Sequence, residues 1–484
     1  MLKIQFTDTI SATFGRLAVF RLQSLTFAIM AITLGSGCSQ MPERSSDEMA
    51  FIVPKQWNDT TDAQPTEFLG WLNTFNDSVL IDLVNQGLSS NFDLLSTAAR
   101  VDAAKEQAVI VGAGRLPQLF FLPGYQSAKD FQNVEAGQFD ALFNLNWEVD
   151  VWGRIKASQQ ASSEDAFAVA EDYRFARLSL SARIAQVYFQ WREAGLQANV
   201  ASQSVKDRSK IVALVRGRFN KGLTRGLDLR LALTDLANAK AQSADAHNNV
   251  QILHKQLQTL LGHYPSFSVQ GLNASKENFS ATIFNHLPEP PATLAEGLPS
   301  ELLNRRPDLI AALHRLQAAD QRLASSKKAL LPRVTLTAVG GTSSPALTEI
   351  IDPRSAAWNL IAGLAQPLFT GGRLQADIRL KEANVTEAYN LYQNLALNAF
   401  REVEQALAAE SRLREQEQAL REAVSQTEAS RKLAVYSYRQ GLIEILTLLD
   451  SYRSTLNAQS AHLAVQRQLL TNRISLYLAL GGKV

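Results

Sequence analysis

The sequence predicts an α+β membrane protein in which one helix–hairpin–helix unit is used twice, giving four strands per chain beside very long helices. Three observations carry this. Landmark residues recur in one order through both halves, each half holds strand candidates with an apolar and a polar face, and each half holds a proline-free helical stretch of about 60 residues.

The duplication is read from offsets. Asp93, Arg100 and Pro117 recur as Asp308, Arg315 and Pro332, each 215 residues on (308 − 93). Gly153-Arg154 recurs as Gly372-Arg373 and Gly222-Leu223 as Gly441-Leu442, each 219 on (372 − 153). Self-similarity at a fixed spacing is the mark of a repeated structural unit.

The chain opens on a secretory pattern. Arg16 and Arg21 precede an apolar run, Leu25 to Leu34, followed by Gly35, Ser36, Gly37 and Cys38. A positive flank, a short apolar core and small residues form a signal peptide over 1–37, and the run is too short to span a bilayer as a helix. Small residues ending in a cysteine resemble the bacterial lipobox, in which the thiol receives a diacylglyceryl group. The position three before Cys38 is Gly35 where a large apolar residue is usual, so two readings stand: a lipid anchor on Cys38, or an ordinary signal peptide beside an incidental cysteine. Cys38 is the only cysteine, which excludes a disulfide framework and a cysteine metal cluster.

Each repeat then runs in the same order. A helix from about Asn91 to Leu116 ends at Pro117, which cannot continue it. Two strand candidates follow. In the second, Phe139, Ala141, Phe143, Leu145, Trp147 and Val149 share one face, while Asp140, Asn144, Asn146, Glu148 and Asp150 share the other. The matching strands of the second repeat are about Arg333 to Thr342 and Ala356 to Pro367. A long helix begins at Arg154 and ends near Gly217, and its counterpart runs from Gly372 to about Gln440. Each reaches roughly 90 Å at 1.5 Å per residue. Helices of about 35 residues close each repeat, Leu227 to Leu261 and Ile445 to Leu480. Phe400, Val403, Leu407, Leu413, Leu420 and Val424 recur at steps of threes and fours, the pattern of a narrow packing seam. The chain therefore divides into the signal peptide, an N-terminal segment and equatorial region (38–90), a first repeat (91–261), an equatorial linker (262–305) and a second repeat (306–484).

Strands with one greasy face need either a core or lipid to cover it. Helices this long and narrow-seamed do not supply a core. In a bilayer a sheet exists only as a closed barrel, and single-chain bacterial barrels need at least about eight strands. Four strands close only with other copies, and three copies give twelve. A soluble α+β protein with a coiled-coil stalk is the alternative that pattern alone leaves open.

Other chemistry is absent. Lys and Arg number 48 against 46 Asp and Glu, net charge +2, which leaves no basic footprint for nucleic acid. The six histidines (His247, His254, His263, His286, His314, His462) form no metal-spaced cluster, and no phosphate loop, dinucleotide fingerprint or nucleophile elbow occurs. No enzyme, metal or cofactor is expected beyond a covalent lipid on Cys38.

Several blocks carry a resemblance. They are Trp71 with Phe75-Asn76-Asp77, Asn91-Phe92-Asp93-Leu94, Trp147 to Arg154, Leu298 to Leu303, Arg305-Arg306-Pro307-Asp308-Leu309, Pro367 to Leu374 and Leu478 to Gly482. In these the chain resembles the TolC family of outer-membrane efflux proteins, more closely its lipoprotein branch (OprM/NodT-like). The resemblance covers nearly all of the mature chain. It implies a homotrimer in the outer membrane: a twelve-stranded β-barrel continuous with a periplasmic α-helical barrel. An inner-membrane proton-driven transporter and a periplasmic adaptor engage such a trimer, which exports drugs or other small molecules. By the same resemblance, pore-narrowing positions fall just after the second helix turn, at Leu446, Asp450 and Arg453, with Asp228 as a partner for Arg453. Their spacing of four and three puts the first three on one helix face. A solvated helix surface is the bland alternative for these residues. An exit duct for polypeptide secretion and a lipid-anchored coiled-coil scaffold without a pore are the competing functions.

Overall fold

A computed structural model describes residues 70–129, 135–265, 284–291 and 302–482. The signal peptide, Cys38 and the rest of the segment up to residue 69 lie outside the described residues, as does much of the linker.

In chain order the elements are α1 (Ser78–Ser90), α2 (Phe92–Ala113), β1 (Gln118–Lys129), β2 (Glu135–Val149), α3 (Arg154–Asn220), α4 (Gly226–Leu260), the one-turn α5 (Leu302–Arg305), α6 (Pro307–Lys328), β3 (Arg333–Ser344), β4 (Ala356–Ala365), α7 (Arg373–Arg439) and α8 (Ile445–Ala479). The duplication holds element by element. Helices α2 and α6 both have 22 residues, α3 and α7 both 67, and α4 and α8 both 35. Both strand-to-helix returns use left-handed glycine, Gly153 at φ 72° and Gly372 at φ 83°.

Several boundaries differ from the sequence expectation: α2 ends at Ala113, before Leu116, and β4 ends at Ala365, before Pro367. Helix α3 passes through Gly217 and stops at Asn220, because one glycine inside a helix costs only about 1 kcal/mol and the chain reverses only at Gly222. Strand β2 begins at Glu135, four residues before its alternation, because its backbone pairs with β1 out to Lys129.

The described chain falls into two compact units. One comprises Ala113–Ser158 and Asp320–Arg379 and holds an antiparallel sheet in the order β1-β2-β3-β4. Phe121 lies opposite Phe143, Phe143 opposite Gly340, and Gly340 opposite Trp358, so these share a face. That face has no core over it: Phe121, Tyr125, Phe143, Leu360 and Leu364 are exposed, and Trp358 is 83% exposed. Apart from Leu142, the other face is polar along β2, where Asp140 accepts hydrogen bonds from Ser343 at 2.6 Å and Gln138 at 3.1 Å. It is mixed in the outer strands, since Phe120, Leu122 and Ile361 also lie on it. No described helix is long and apolar enough to cross a membrane.

The second unit is helical. Its largest core gathers Trp71, Phe75 and Leu80 against Ile184 and Phe189 of α3 and Leu470, Ile474 and Tyr477 of α8. Full burial of each such side chain contributes roughly 1.5–3 kcal/mol. Asp77 fixes the entry to α1 in two ways. Its carboxylate accepts from the Leu80 backbone N–H at 3.1 Å, capping the helix, and from Arg192 at 2.7 Å and the Tyr188 hydroxyl at 2.9 Å. Burial and the neighbouring Asp77 push the Tyr188 hydroxyl pKa up.

The seam on α7 is only partly apolar. Val403 and Leu407 are buried, whereas Leu413, Leu420 and Val424 are half-buried. Between them Glu410 and Glu417 are 7% and 8% exposed. Glu410 accepts from Arg414 at 2.8 Å and from Arg473 of α8. Glu417 pairs with Arg421 at 2.9 Å and His462 of α8 at 2.8 Å. Buried carboxylates persist because each is paired; alone, either would cost several kcal/mol.

Candidate functional site

The sites expected from sequence lie around the turns that join α3 to α4 and α7 to α8. Both turns close by the same backbone motif. Leu223 N–H donates to the Arg218 carbonyl and Gly222 N–H to that of Phe219, both at 2.9 Å. In the second repeat Leu442 donates to Ser437 at 2.9 Å and Gly441 to Tyr438 at 3.0 Å. This paired pattern satisfies the last helix carbonyls, and it requires a left-handed residue where Gly222 and Gly441 sit, at φ 71° and 78°.

A third core holds the two hairpins together here. Ile211, Val212 and Val215 of α3 and Ala232 of α4 pack with Tyr438 of α7 and Ile445, Leu448 and Leu449 of α8. Polar bonds surround it. Arg218 donates to the carbonyls of Tyr438 and Arg439, each at 3.2 Å, with its guanidinium 5.2 Å from the centre of the Tyr438 ring. Arg431 of α7 donates to Asp207 of α3 at 3.0 Å and covers the Tyr452 ring at 5.3 Å. Arg208 donates to Asp235 at 2.6 Å in a buried pair that ties α3 to α4. Burial raises the hydroxyl pKa of both Tyr438 and Tyr452, keeping them protonated.

Three of the expected residues share a surface. Ile445, Leu448 and Leu449 turn one face of α8 into the core. Leu446 (54% exposed), Asp450 and Arg453 occupy a neighbouring face, all exposed. Among the described residues, no ion pair or hydrogen bond within the chain holds the Asp450 or Arg453 side chain. The stripe is thus an apolar residue, an acid and a base in a row, each exposed.

Asp228 is placed differently. It is the third residue of α4, where its carboxylate accepts from the Arg225 backbone N–H at 3.3 Å and from the Thr224 hydroxyl. That is a helix-capping role, and no described bond joins Asp228 to Arg453 within the chain. Sequence inspection missed Arg218, Arg431 with Asp207, and Arg208 with Asp235. The last had a signal: Arg208 and Asp235 lie 14 residues before and 13 after Gly222 (222 − 208, 235 − 222), so a hairpin folding there sets them opposite each other.

Among the described residues no group of His, Cys, Asp and Glu has the makings of a metal site. What the arrangement can do is mechanical and electrostatic. It presents one stripe, and the side chains of Arg218, Arg431 and Arg208 tie the helices behind it.

Comparison with known proteins bears on this geometry. A family model described as outer membrane efflux protein matches residues 83–263 and 298–482, one segment for each repeat. The toluene efflux pump outer membrane protein TtgF of Pseudomonas putida is 30% identical over 426 residues, covering 86% of this chain and 85% of its own. SilC of Salmonella typhimurium, a probable outer membrane lipoprotein, is 27% identical, covering 96% of this chain and 99% of its own. Among solved structures, the outer-membrane channel OprN superposes with a TM-score of 0.80 at 26% identity, covering 90% of this chain and 98% of that one.

Proposed function

The chain belongs to the outer membrane efflux protein family, and from that premise we propose that three copies assemble into one passive exit duct. Its function is efflux across the outer membrane, and it is not an enzyme. The observation that carries this is the separate match of the family to each repeat, over nearly the whole described chain.

In the trimer, twelve strands close a barrel in the outer membrane, continuous with a periplasmic barrel of the long helices. The open apolar face of the sheet supports this, because exposed Phe, Tyr, Trp and Leu are what a lipid-facing wall requires. A lipid on Cys38 adds an anchor, a reading supported by the name of SilC. The energy comes from an inner-membrane proton-driven transporter reached through a periplasmic adaptor, and the cargo is drugs or other small molecules. TtgF, named for a toluene efflux pump, supports efflux over polypeptide secretion.

The α8 stripe is the gate. Three Leu446 side chains narrow the lumen by size and dewetting, and three Asp450 carboxylates set its charge preference. Arg453 pairs with a carboxylate of a neighbouring copy, with Asp228 as one candidate; Asp228 would then share its cap.

Reconstitution tests the whole reading. Purified protein should run as a trimer by native mass measurement, and its liposomes should swell in small sugars. A monomer that leaves liposomes tight would instead be a scaffold without a pore.

A further inference from the structure

We propose that the turn from β4 into α7 binds anionic phospholipid headgroups, with Arg373 set against the phosphate and Leu368 and Phe369 toward the acyl chains. The inference rests on the trimeric-barrel reading, which puts the sheet in the membrane and the helices in the periplasm. It goes beyond that reading by naming the class of lipid that meets their boundary.

The sheet unit is charged oppositely at its two ends. Around the boundaries between strands and helices (113–118, 146–158, 320–333 and 366–379) the sequence has nine Lys or Arg against four Asp or Glu, a surplus of five (9 − 4). Around the other ends of the strands (126–140 and 344–356) it has two against five. The four acids at the helix end are turned to their own chain. Glu148 pairs with Arg154 at 2.8 Å, and Asp150 accepts from the backbone N–H groups of Ile155 at 3.0 Å and Lys156 at 2.7 Å. Asp377 accepts from the Ser326 hydroxyl at 2.6 Å, and Asp320 is buried. Lys156, Arg333, Arg373 and Arg379, by contrast, are exposed. The field that remains is positive and reaches about 8 Å through physiological salt.

The internal duplication singles out one turn. Adding 219 to the first strand-to-helix turn, Glu148 to Arg154, gives the second, Pro367 to Arg373. In the first, Glu148 holds Arg154, Asp150 caps α3, and the Trp152 indole N–H donates to the Pro332 carbonyl at 2.7 Å. In the second, those three places are Pro367, Phe369 and Gly371, so the carboxylates and the indole are gone. Among the described residues, no ion pair or hydrogen bond holds the Arg373 side chain. A side chain on Gly371 or Gly372 would meet nothing within 4 Å. Leu368 and Phe369 are 92% and 90% exposed. The second turn therefore displays two apolar side chains and an unpaired guanidinium.

Lipid is the occupant this combination fits. The turn continues the open apolar face of the sheet: Leu360 and Leu364 share that face on β4, both exposed, and Leu368 follows four residues on. Apolar side chains beside Lys or Arg suit the headgroup level, where the base meets phosphate and the apolar group reaches the acyl boundary. A water-filled lumen would leave Leu368 and Phe369 in water. Charge then selects among lipids. A zwitterionic headgroup carries its own cation beside the phosphate, whereas an anionic one leaves the phosphate to Arg373 and the surrounding surplus.

Electron spin resonance of labelled lipids reads the preference. The full chain would be reconstituted in phosphatidylcholine vesicles with a trace of spin-labelled phosphatidylglycerol or spin-labelled phosphatidylcholine, and the motionally restricted fractions compared. Wild type should favour phosphatidylglycerol by about threefold or more, and about 0.5 M salt should weaken the preference. Arg373→Gln should at least halve it, and Arg373→Lys, which keeps the charge, should retain most of it. Arg354→Gln removes a cation from the other end of the sheet and should leave it unchanged. Equal restriction of the two lipids by wild type overturns the proposal. So does a preference that survives Arg373→Gln, the result expected if a neighbouring copy covers the turn. An equal fall with Arg354→Gln, or a full loss with Arg373→Lys, overturns the assignment to the charge at this turn. If neither lipid is restricted, the sheet does not face lipid, and the barrel reading itself is overturned.

Discussion

Asn91 donates its side-chain amide to the backbone carbonyl of Leu260 at 2.9 Å, tying the start of α2 to the end of α4. The second repeat keeps the tie and changes the donor. There Arg306 donates to the carbonyl of Ala479 at 3.3 Å, and positions 91 and 306 are repeat equivalents, as are 260 and 479. Asn91 also caps α2, its side-chain oxygen accepting from Leu94 N–H at 3.0 Å. Arg306 instead pairs with Asp308 and Glu402, each at 2.7 Å.

These added partners give an ordering. Asn91→Asp keeps the cap and loses the tie, and should cost about 1 kcal/mol. Arg306→Ala leaves two carboxylates without their partner and should cost more, about 3 kcal/mol. Thermal unfolding in detergent checks this; equal melting temperatures for the two variants would contradict it.

Gly441→Ala places a side chain at φ 78° and strains the α7–α8 turn by roughly 1–2 kcal/mol. The Cβ itself meets nothing closer than the end of the Arg218 side chain at 3.7 Å, so the effect is conformational and local. Hydrogen exchange should quicken at the amides of Gly441 and Leu442 and stay unchanged in the core around Trp71. Unchanged exchange at the turn would show that the strain is relieved elsewhere.

The buried pair of Arg208 and Asp235 should behave asymmetrically. Removing one partner strands the other charge, so Arg208→Met should destabilise by about 3–5 kcal/mol. Adding Asp235→Leu removes the stranded charge and should recover most of that loss. Denaturant titration of the three variants measures it. If the double variant is as unstable as the single, the cost lies in packing and not in the charge.

The repeat was plain in the sequence because prolines and glycines at element ends cannot be exchanged freely, so Pro117 and Pro332 or Gly222 and Gly441 persist as landmarks. The β2 face was legible for a similar reason: a two-residue period admits one sorting of Phe139 to Val149. Glu410 and Glu417 were not legible, because charge on a helix is read as facing water until its partner is known. Arg473 and His462 answer them from the far side of a turn, more than 40 residues away. Folding the chain at Gly441 would have aligned these partners approximately, as folding at Gly222 aligns Arg208 with Asp235. Asp228 hid a role in the opposite way: an acid near a turn suggests a partner for Arg453, and nothing in the sequence shows that within its own chain it also caps α4.

Glu417 gives the pH dependence. Burial would raise its pKa, but hydrogen bonds from His462 and Arg421 outweigh burial and hold it below the ordinary 4.5. A carboxyl lowered in the folded state contributes stability that is fully present above its unfolded value and lost as pH falls through the folded one. Wild type should therefore exceed Glu417→Gln in melting temperature at neutral pH, and the gap should close as pH drops below about 4.5. A gap constant down to pH 3 would mean that the charge of Glu417 is not what stabilises the α7–α8 contact.

Planar-bilayer recording of the purified protein tests the gated duct most directly. Wild type should give small, discrete conductance steps, and Asp450→Ala with Arg453→Ala should enlarge them several-fold by opening the stripe on α8. Enlarged steps with Leu446 intact would place the main barrier in the charged pair. Equal conductance in both proteins would remove these residues from the gate, and silence in both would contradict the duct itself.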